Sequence, residues 1–278
     1  MKNKVAIIGA GLSGRIAKYI FGDKATLYGE ISKSNKMPFF YIHRFLDSKL
    51  TDREILVSSR VIAIDKKNQK HNYLIKTRSR VACGLDSSIG NYTNEGWILN
   101  WNRLPNPDVK DRIIDFVNYS DRKCLIGIKD SYIHEIVIFT IDLINICKLV
   151  YSSPHEIDYQ PDFEYYKIGL KFTPVYSIFE NLIQTFYFPD PDIPYYRVTF
   201  YQDYMVQEFS EASVSFDKFE FDKILYPGKI LPSMNSANII KSLEQSNIYC
   251  LGRYACWQPR MMVHDVWREA IKLKEKLL

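Results

Sequence analysis

VAIIGAGLSG, residues 5–14, decides how the rest of the chain is read. Val5, Ala6, Ile7 and Ile8 run without alternation into Gly9-x-Gly11-x-x-Gly14, as a strand buried on both faces of a parallel sheet does. Residues 12–21 then carry Leu12, Ile16 and Ile20 at helical spacing. In a strand–turn–helix, Gly9 makes the turn, Gly11 lets a pyrophosphate approach the backbone, and Gly14 lets helix and strand pack closely. The helix N-terminus, with Leu12 and Ser13 in its first turn, supplies N–H groups and a favourable dipole for phosphates. NAD, NADP and FAD all use such a turn, so it predicts a dinucleotide without choosing which.

Bulk properties narrow the class. The chain has 278 residues, 46% hydrophobic and 25% charged, which is globular and long enough for two interleaved domains. Twenty Tyr and 16 Phe suit sheets and flat-ligand pockets, and equally suit plain core packing. A formal charge of +5 fits an anionic small ligand; no continuous basic stripe supports nucleic acid, which stays a minor possibility as substrate. Five cysteines (Cys83, Cys124, Cys147, Cys250, Cys256) form no C-x-x-C, which predicts a reduced cytoplasmic protein without a disulfide framework or zinc site. The scattered His71, His134 and His155 have no metal-ligand spacing, so no metal is expected. No signal peptide opens the chain, and the apolar run 136–150 carries Asp142, Asn145 and Lys148, so no membrane partner is expected.

Further strands are predicted at 24–30, 134–140 and 247–253, with short helices near 142–151 and a closing amphipathic helix over 263–278. Residues 55–77 read as strands joined by a polar turn at 66–70, and 152–225 as a separate aromatic sheet. Glu30 ends the second predicted strand, where a carboxylate binds ribose hydroxyls and disfavours a 2′-phosphate, so NADP recedes.

The C-terminal stretch IYCLGRYACWQPRMMVHDVWREA, 248–270, is a strand, a Gly-Arg corner, a loop and a helix starting near Met261. It resembles the last segment of the FAD-dependent amine oxidase and UDP-galactopyranose mutase superfamily. That resemblance implies FAD, with Gly252 and Arg253 at the cofactor and the backbone of Met261, Met262 and Val263 near the isoalloxazine. It also implies Val61 as a cofactor-binding position and, from FFYIHR at 39–44, His43 beside the flavin as the candidate for proton handling. FYFPDPDIPYYRVTFYQDYM, 186–205, resembles the mutase segment whose Arg binds a substrate diphosphate; the matching residue is Arg197. Tyr195, two residues away on a predicted strand, shares its face and lines the same pocket, while Tyr196 points into packing. The alternative for Arg197 is a salt bridge to Asp190, Asp192 or Asp203. FTIDL at 139–143 resembles the superfamily's TIPL, with Asp142 replacing Pro.

Departures from the mutases are as informative. Trp257 and Pro259 stand where a Tyr-x-Tyr pair grips the diphosphate, which makes Trp257 a candidate substrate contact of a different kind, and Met261 replaces an Asp. The resulting expectation is an α/β chain: a glutathione-reductase-type, Rossmann-like FAD domain (1–75, 126–150, 226–278) with an inserted mixed-sheet substrate domain (76–125, 151–225). Its expected activity is FAD-dependent oxidation of an anionic small metabolite or nucleotide-linked substrate at flavin N5. A redox-neutral sugar-nucleotide mutase and a catalytically silent dinucleotide-binding protein are the alternatives.

Overall fold

The computed structural model describes residues 4–30, 41–78, 90–119, 122–151, 162–176 and 181–278; Cys83 and His155 lie outside them. The described residues fall into two compact units: those within 1–33, 102–164 and 232–278 form the first, and those within 34–101 and 165–231 the second. Elements are numbered in chain order.

The first unit is built on a parallel sheet of β1 (Val5–Ile8), β2 (Ala25–Tyr28), β9 (Ile136–Phe139) and β15 (Ile248–Cys250), in the order β15-β9-β1-β2. Val5 pairs with Ala25 on one side and Ile136 on the other, so both ends of the chain contribute to one sheet around a buried central strand. β1 is apolar throughout because no position of it sees water: Val5, Ala6 and Ile7 are each 0% exposed. α1 (Leu12–Phe21) buries Ile16, Ala17 and Phe21, and α5 (Val263–Leu277) packs on it. Tyr19 meets Trp267 at 5.7 Å between rings, and Lys274 Nζ donates to the Ile20 carbonyl at 2.6 Å, satisfying one of the last carbonyls of α1. α3 (Leu143–Val150) starts at Asp142, whose carboxylate accepts the Asn145 N–H, so the Asp that replaces Pro is a helix N-cap.

A three-stranded antiparallel sheet, β6 (Ile113–Asn118), β7 (Lys123–Gly127) and β8 (Ser131–His134), leads directly into β9. His134 is a core residue: its Nε2 shares a hydrogen bond with Tyr28 Oη at 2.7 Å.

The second unit is an eight-stranded sheet of β3 (Tyr41–Ile42), β4 (Thr51–Val61), β5 (Tyr92–Leu99), β10 (Tyr165–Pro174), β11 (Leu182–Tyr187), β12 (Tyr195–Tyr201), β13 (Tyr204–Ser210) and β14 (Lys223–Ile230). Its order is β14-β10-β13-β12-β11-β4-β5-β3, and only β4 and β11 run parallel. The predicted hairpin over 55–77 is corrected: the polar run 66–70 leads into α2 (Gln69–Lys76), and β4 pairs with β5 and β11 instead. Tyr73 of α2 is buried against Tyr187 and Tyr196, so long-range packing determines this segment.

The unit boundaries therefore differ from the sequence-based division at 75, 126, 151 and 226. Residues 34–75 join the second unit because β4 finds its partners there, and 102–125 join the first.

Candidate dinucleotide site

At the end of β1 the three glycines meet three different demands. Gly9 has φ +113°, and its N–H donates to the Tyr28 carbonyl at 3.0 Å, so the chain turns there while still tied to β2. A Cβ on Gly14 would stand 1.8 Å from the Gly9 carbonyl oxygen, which is the close helix–strand contact the motif demands. Gly11 is the contrary case. Its φ of −71° and ψ of −174° suit any residue, and a Cβ there would meet nothing within 4 Å. Among the described residues nothing requires glycine at 11, and the space in front of its backbone forms a cradle.

The start of α1 faces the same space. Gly11 is its N-cap, no side chain caps it, and its first turn holds no acid. N–H groups left in this state favour an anion, and the residues fit a pyrophosphate. Leu12 and Ser13 are half-buried in this turn. Thr140 Oγ1 braces the turn from behind, donating to the carbonyls of Ile8 (3.0 Å) and Gly9 (2.9 Å).

β2 delivers Glu30 beside the turn. Gly29 has φ +134°, and a Cβ on it would lie 3.0 Å from the Ala10 nitrogen; Glu30 follows, exposed. The edge of β2 is covered by Val109, which accepts the Gly29 N–H and donates to the Leu27 carbonyl, both at 3.1 Å. Asp108 ties this segment down, accepting from the Leu27 N–H (2.7 Å) and Lys18 Nζ (2.9 Å). The Arg15 guanidinium is buried and donates to the carbonyls of Leu104 (2.6 Å) and Pro105 (2.9 Å); burial lowers its pKa.

The C-terminal corner closes on the same place. Gly252 has φ +106°, and a Cβ on it would lie 2.4 Å from Ser13 Oγ, so the returning strand end and the first turn of α1 are in contact. Arg253 turns inward along its own loop: Nε donates to the Met261 carbonyl at 3.0 Å and Nη2 lies 3.6 Å from Met262 Sδ. α5 begins at Val263, with Met262 as N-cap. The Met262 N–H donates to Asp265 Oδ2 at 2.9 Å, so a carboxylate already engages this helix start, itself paired with Arg268.

Trp257 is corrected. The indole is 2% exposed and lies against Phe163, 4.6 Å between ring centroids, so it is a core residue and offers a substrate almost no surface. Burial pushes the Cys147 thiol up to about 11 and that of Cys256 up to about 12, which disfavours the thiolate, and Cys256 Sγ donates to the Cys250 carbonyl at 3.3 Å. Among the described residues no cluster of metal-ligating side chains occurs.

Four predicted residues belong to the second unit. His43 follows β3, half-buried and edge-on to Tyr41 at 5.3 Å. Val61 ends β4, packs against the Tyr73–Tyr187–Tyr196 cluster, and donates its N–H to Asn91 Oδ1 at 3.1 Å. Tyr195 and Arg197 do not share a face, because a bulge shifts the β12–β13 register between them. Tyr195 packs on Phe188 and Phe209, whereas Arg197 pairs with Glu208, the residue before Phe209. The acid on Arg197 is thus Glu208 and none of the three nearby Asp residues: Nε donates to Oε1 at 2.6 Å and Nη2 to Oε2 at 2.7 Å.

No family model matches the chain, and no curated protein matches it. Solved structures do. A reduced UDP-galactopyranose mutase superposes over 100% of this chain and 94% of its own, with TM-score 0.64 and 11% identity. A CLA-producing fatty acid isomerase from P. acnes covers 100% and 99% respectively, with TM-score 0.62 and 7% identity. The fold is that of the FAD-binding Rossmann-type flavoproteins. 2,6-Dihydroxypyridine-3-hydroxylase from Arthrobacter nicotinovorans extends the likeness, with TM-score 0.52, 9% identity, and 99% and 84% coverage. At these identities the backbone is shared and the chemistry of individual side chains is not carried over.

The site also uses Thr140, Asp108 and Arg15, which lie outside the glycine motif and the C-terminal corner. Thr140 carried a signal, standing directly after a buried strand at the position that faces the glycine turn; Asp108 and Arg15 carried none.

Proposed function

We propose that this chain is an FAD-dependent oxidoreductase acting on a small molecule. The observation that carries the reading is Gly11, a residue with ordinary backbone angles and open space where a side chain would stand. Gly9, Gly11, Leu12, Ser13 and Gly14 would present the pyrophosphate site, Glu30 the ribose contact, and Gly252 the close approach of the C-terminal corner. Bound FAD would supply two-electron transfer at its N5. Arg253 would act by holding the 253–262 loop in shape, through its bond to the Met261 carbonyl. Asp265 holds the start of α5, so negative charge on a ligand at that helix end would meet a carboxylate as well as the dipole. His43, the imidazole that follows β3, is the proposed proton-handling residue.

The test is the absorbance spectrum of the purified protein, before and after dithionite, followed by chromatography of the cofactor released on denaturation. Flavin bands that bleach, and release of FAD, support the reading. A colourless protein that cannot be reconstituted with FAD and binds NAD overturns it.

A further inference from the structure

One face of the second unit's sheet carries polar residues in cross-strand rows. Register places Val61, Tyr187, Arg197 and Glu208 side by side on β4, β11, β12 and β13. The next row is Ser59, Thr185, Thr199 and Val206, with the Thr185 and Thr199 hydroxyls 3.4 Å apart. Tyr92 of β5 continues this second row, in register with Ser59.

At the centre is a completed ion pair. Both oxygens of Glu208 are engaged by the Arg197 fork, and Oε2 also accepts the Tyr196 hydroxyl at 2.7 Å, a contact made possible by the bulge. The Glu208 side chain is 11% exposed and that of Arg197 37%. Glu208 is thus the more buried partner and the Arg197 side chain the more exposed one. Among the described residues Nη1 of Arg197 has no acceptor. A guanidinium unpaired in this position would select carboxylate or phosphate; with its charge cancelled at 2.6 Å it retains a directed N–H donor and little net field.

We infer that the Arg197–Glu208–Tyr196 cluster is a recognition site of zero net charge, which takes an uncharged oxygen acceptor, a carbonyl or hydroxyl group, in preference to an anion. This replaces the anionic substrate expected from sequence, and it rests on the proposed function in treating this face as substrate-binding. Glu208 is the specificity-determining residue: it positions Arg197 and sets the charge of the site.

Benzamide and benzoate are matched in size and differ in charge, and each can be titrated into the purified protein by calorimetry. Benzamide should bind about tenfold tighter than benzoate, with little dependence on ionic strength. Glu208→Gln keeps an acceptor for Tyr196 and Arg197 while uncovering the cation, so the order should reverse and benzoate binding should become salt-dependent. Arg197→Gln keeps a donor without charge and should retain the preference for benzamide, which preserves the test if Glu208→Gln does not fold. Benzoate preferred by the unaltered protein, an unreversed order in Glu208→Gln, or binding of neither probe to either protein overturns the inference. The flavin absorbance of the same sample is read separately: a colourless protein refutes the FAD reading but leaves the comparison of the two probes intact.

Discussion

Gly11→Val separates a glycine kept for the fold from one kept for a ligand. The backbone at 11 is extended, φ −71° and ψ −174°, a conformation β-branched residues favour, and among the described residues the new Cβ meets no atom within 4 Å. The substituted protein should fold as before, with stability changed by no more than about 0.5 kcal/mol. A pyrophosphate held on the first-turn N–H groups would be pushed outward by the new methyls. Losing one or two charge-assisted hydrogen bonds, at about 1.5–3 kcal/mol each, weakens FAD binding by roughly one to four decades. The assay is paired: apoprotein melting by circular dichroism, and FAD affinity by quenching of flavin fluorescence. Gly14→Ala is the control of opposite kind, since its Cβ would lie 1.8 Å from the Gly9 carbonyl oxygen and strand or helix must move. That overpacking costs about 1–3 kcal/mol or more, a melting point lower by several degrees in a chain of this size. If Gly11→Val binds FAD within threefold of the original, or melts as early as Gly14→Ala, the cradle argument is wrong.

Three further outcomes are expected. The reduced protein should not interconvert the two ring forms of UDP-galactose, because Trp257 is 2% exposed and the Arg197 fork is held by Glu208; turnover at ordinary substrate concentration would show that neither matters. Arg197→Lys cannot reproduce the two parallel bonds to Glu208 and should lower stability by about 1–3 kcal/mol, discounted for partial exposure; an unchanged urea midpoint would make the pair ornamental. Lys76 donates to the carbonyls of Phe188 and Asp190, both at 2.7 Å, and burial pushes its pKa down to about 8. Its folded pKa lies below the unfolded value of about 10.4, so the folded state binds fewer protons between the two and stability should rise with pH across that window. Comparing urea midpoints at pH 7.5 and 10 should show a steeper rise in the original protein than in Lys76→Met; parallel slopes would remove Lys76 from the account.

The nucleotide half was legible because its constraints are local. Gly9, Gly11 and Gly14 fall within six residues, and the apolar runs at 5–8, 136–139 and 248–250 are continuous because a parallel sheet covers both faces of each. Periodicity could not say that β4 belongs to the second sheet, since alternating residues pair equally well with any apolar edge and its partners stand 33 and 126 residues on, as in Ser59–Tyr92 and Val61–Tyr187. Nor could spacing recover the face of Arg197. Two residues apart means one face only on a regular strand, and the bulge that breaks the rule is the device that brings Tyr196 and Arg197 onto one carboxylate. The acid itself, Glu208, lies on the following strand, reached by register rather than proximity in sequence; the three Asp residues that looked closer do not pair with the guanidinium. The consequence is chemical: a lone arginine on a predicted strand announces an anion, and the same arginine with its fork closed on a buried glutamate has its charge already met within the sheet.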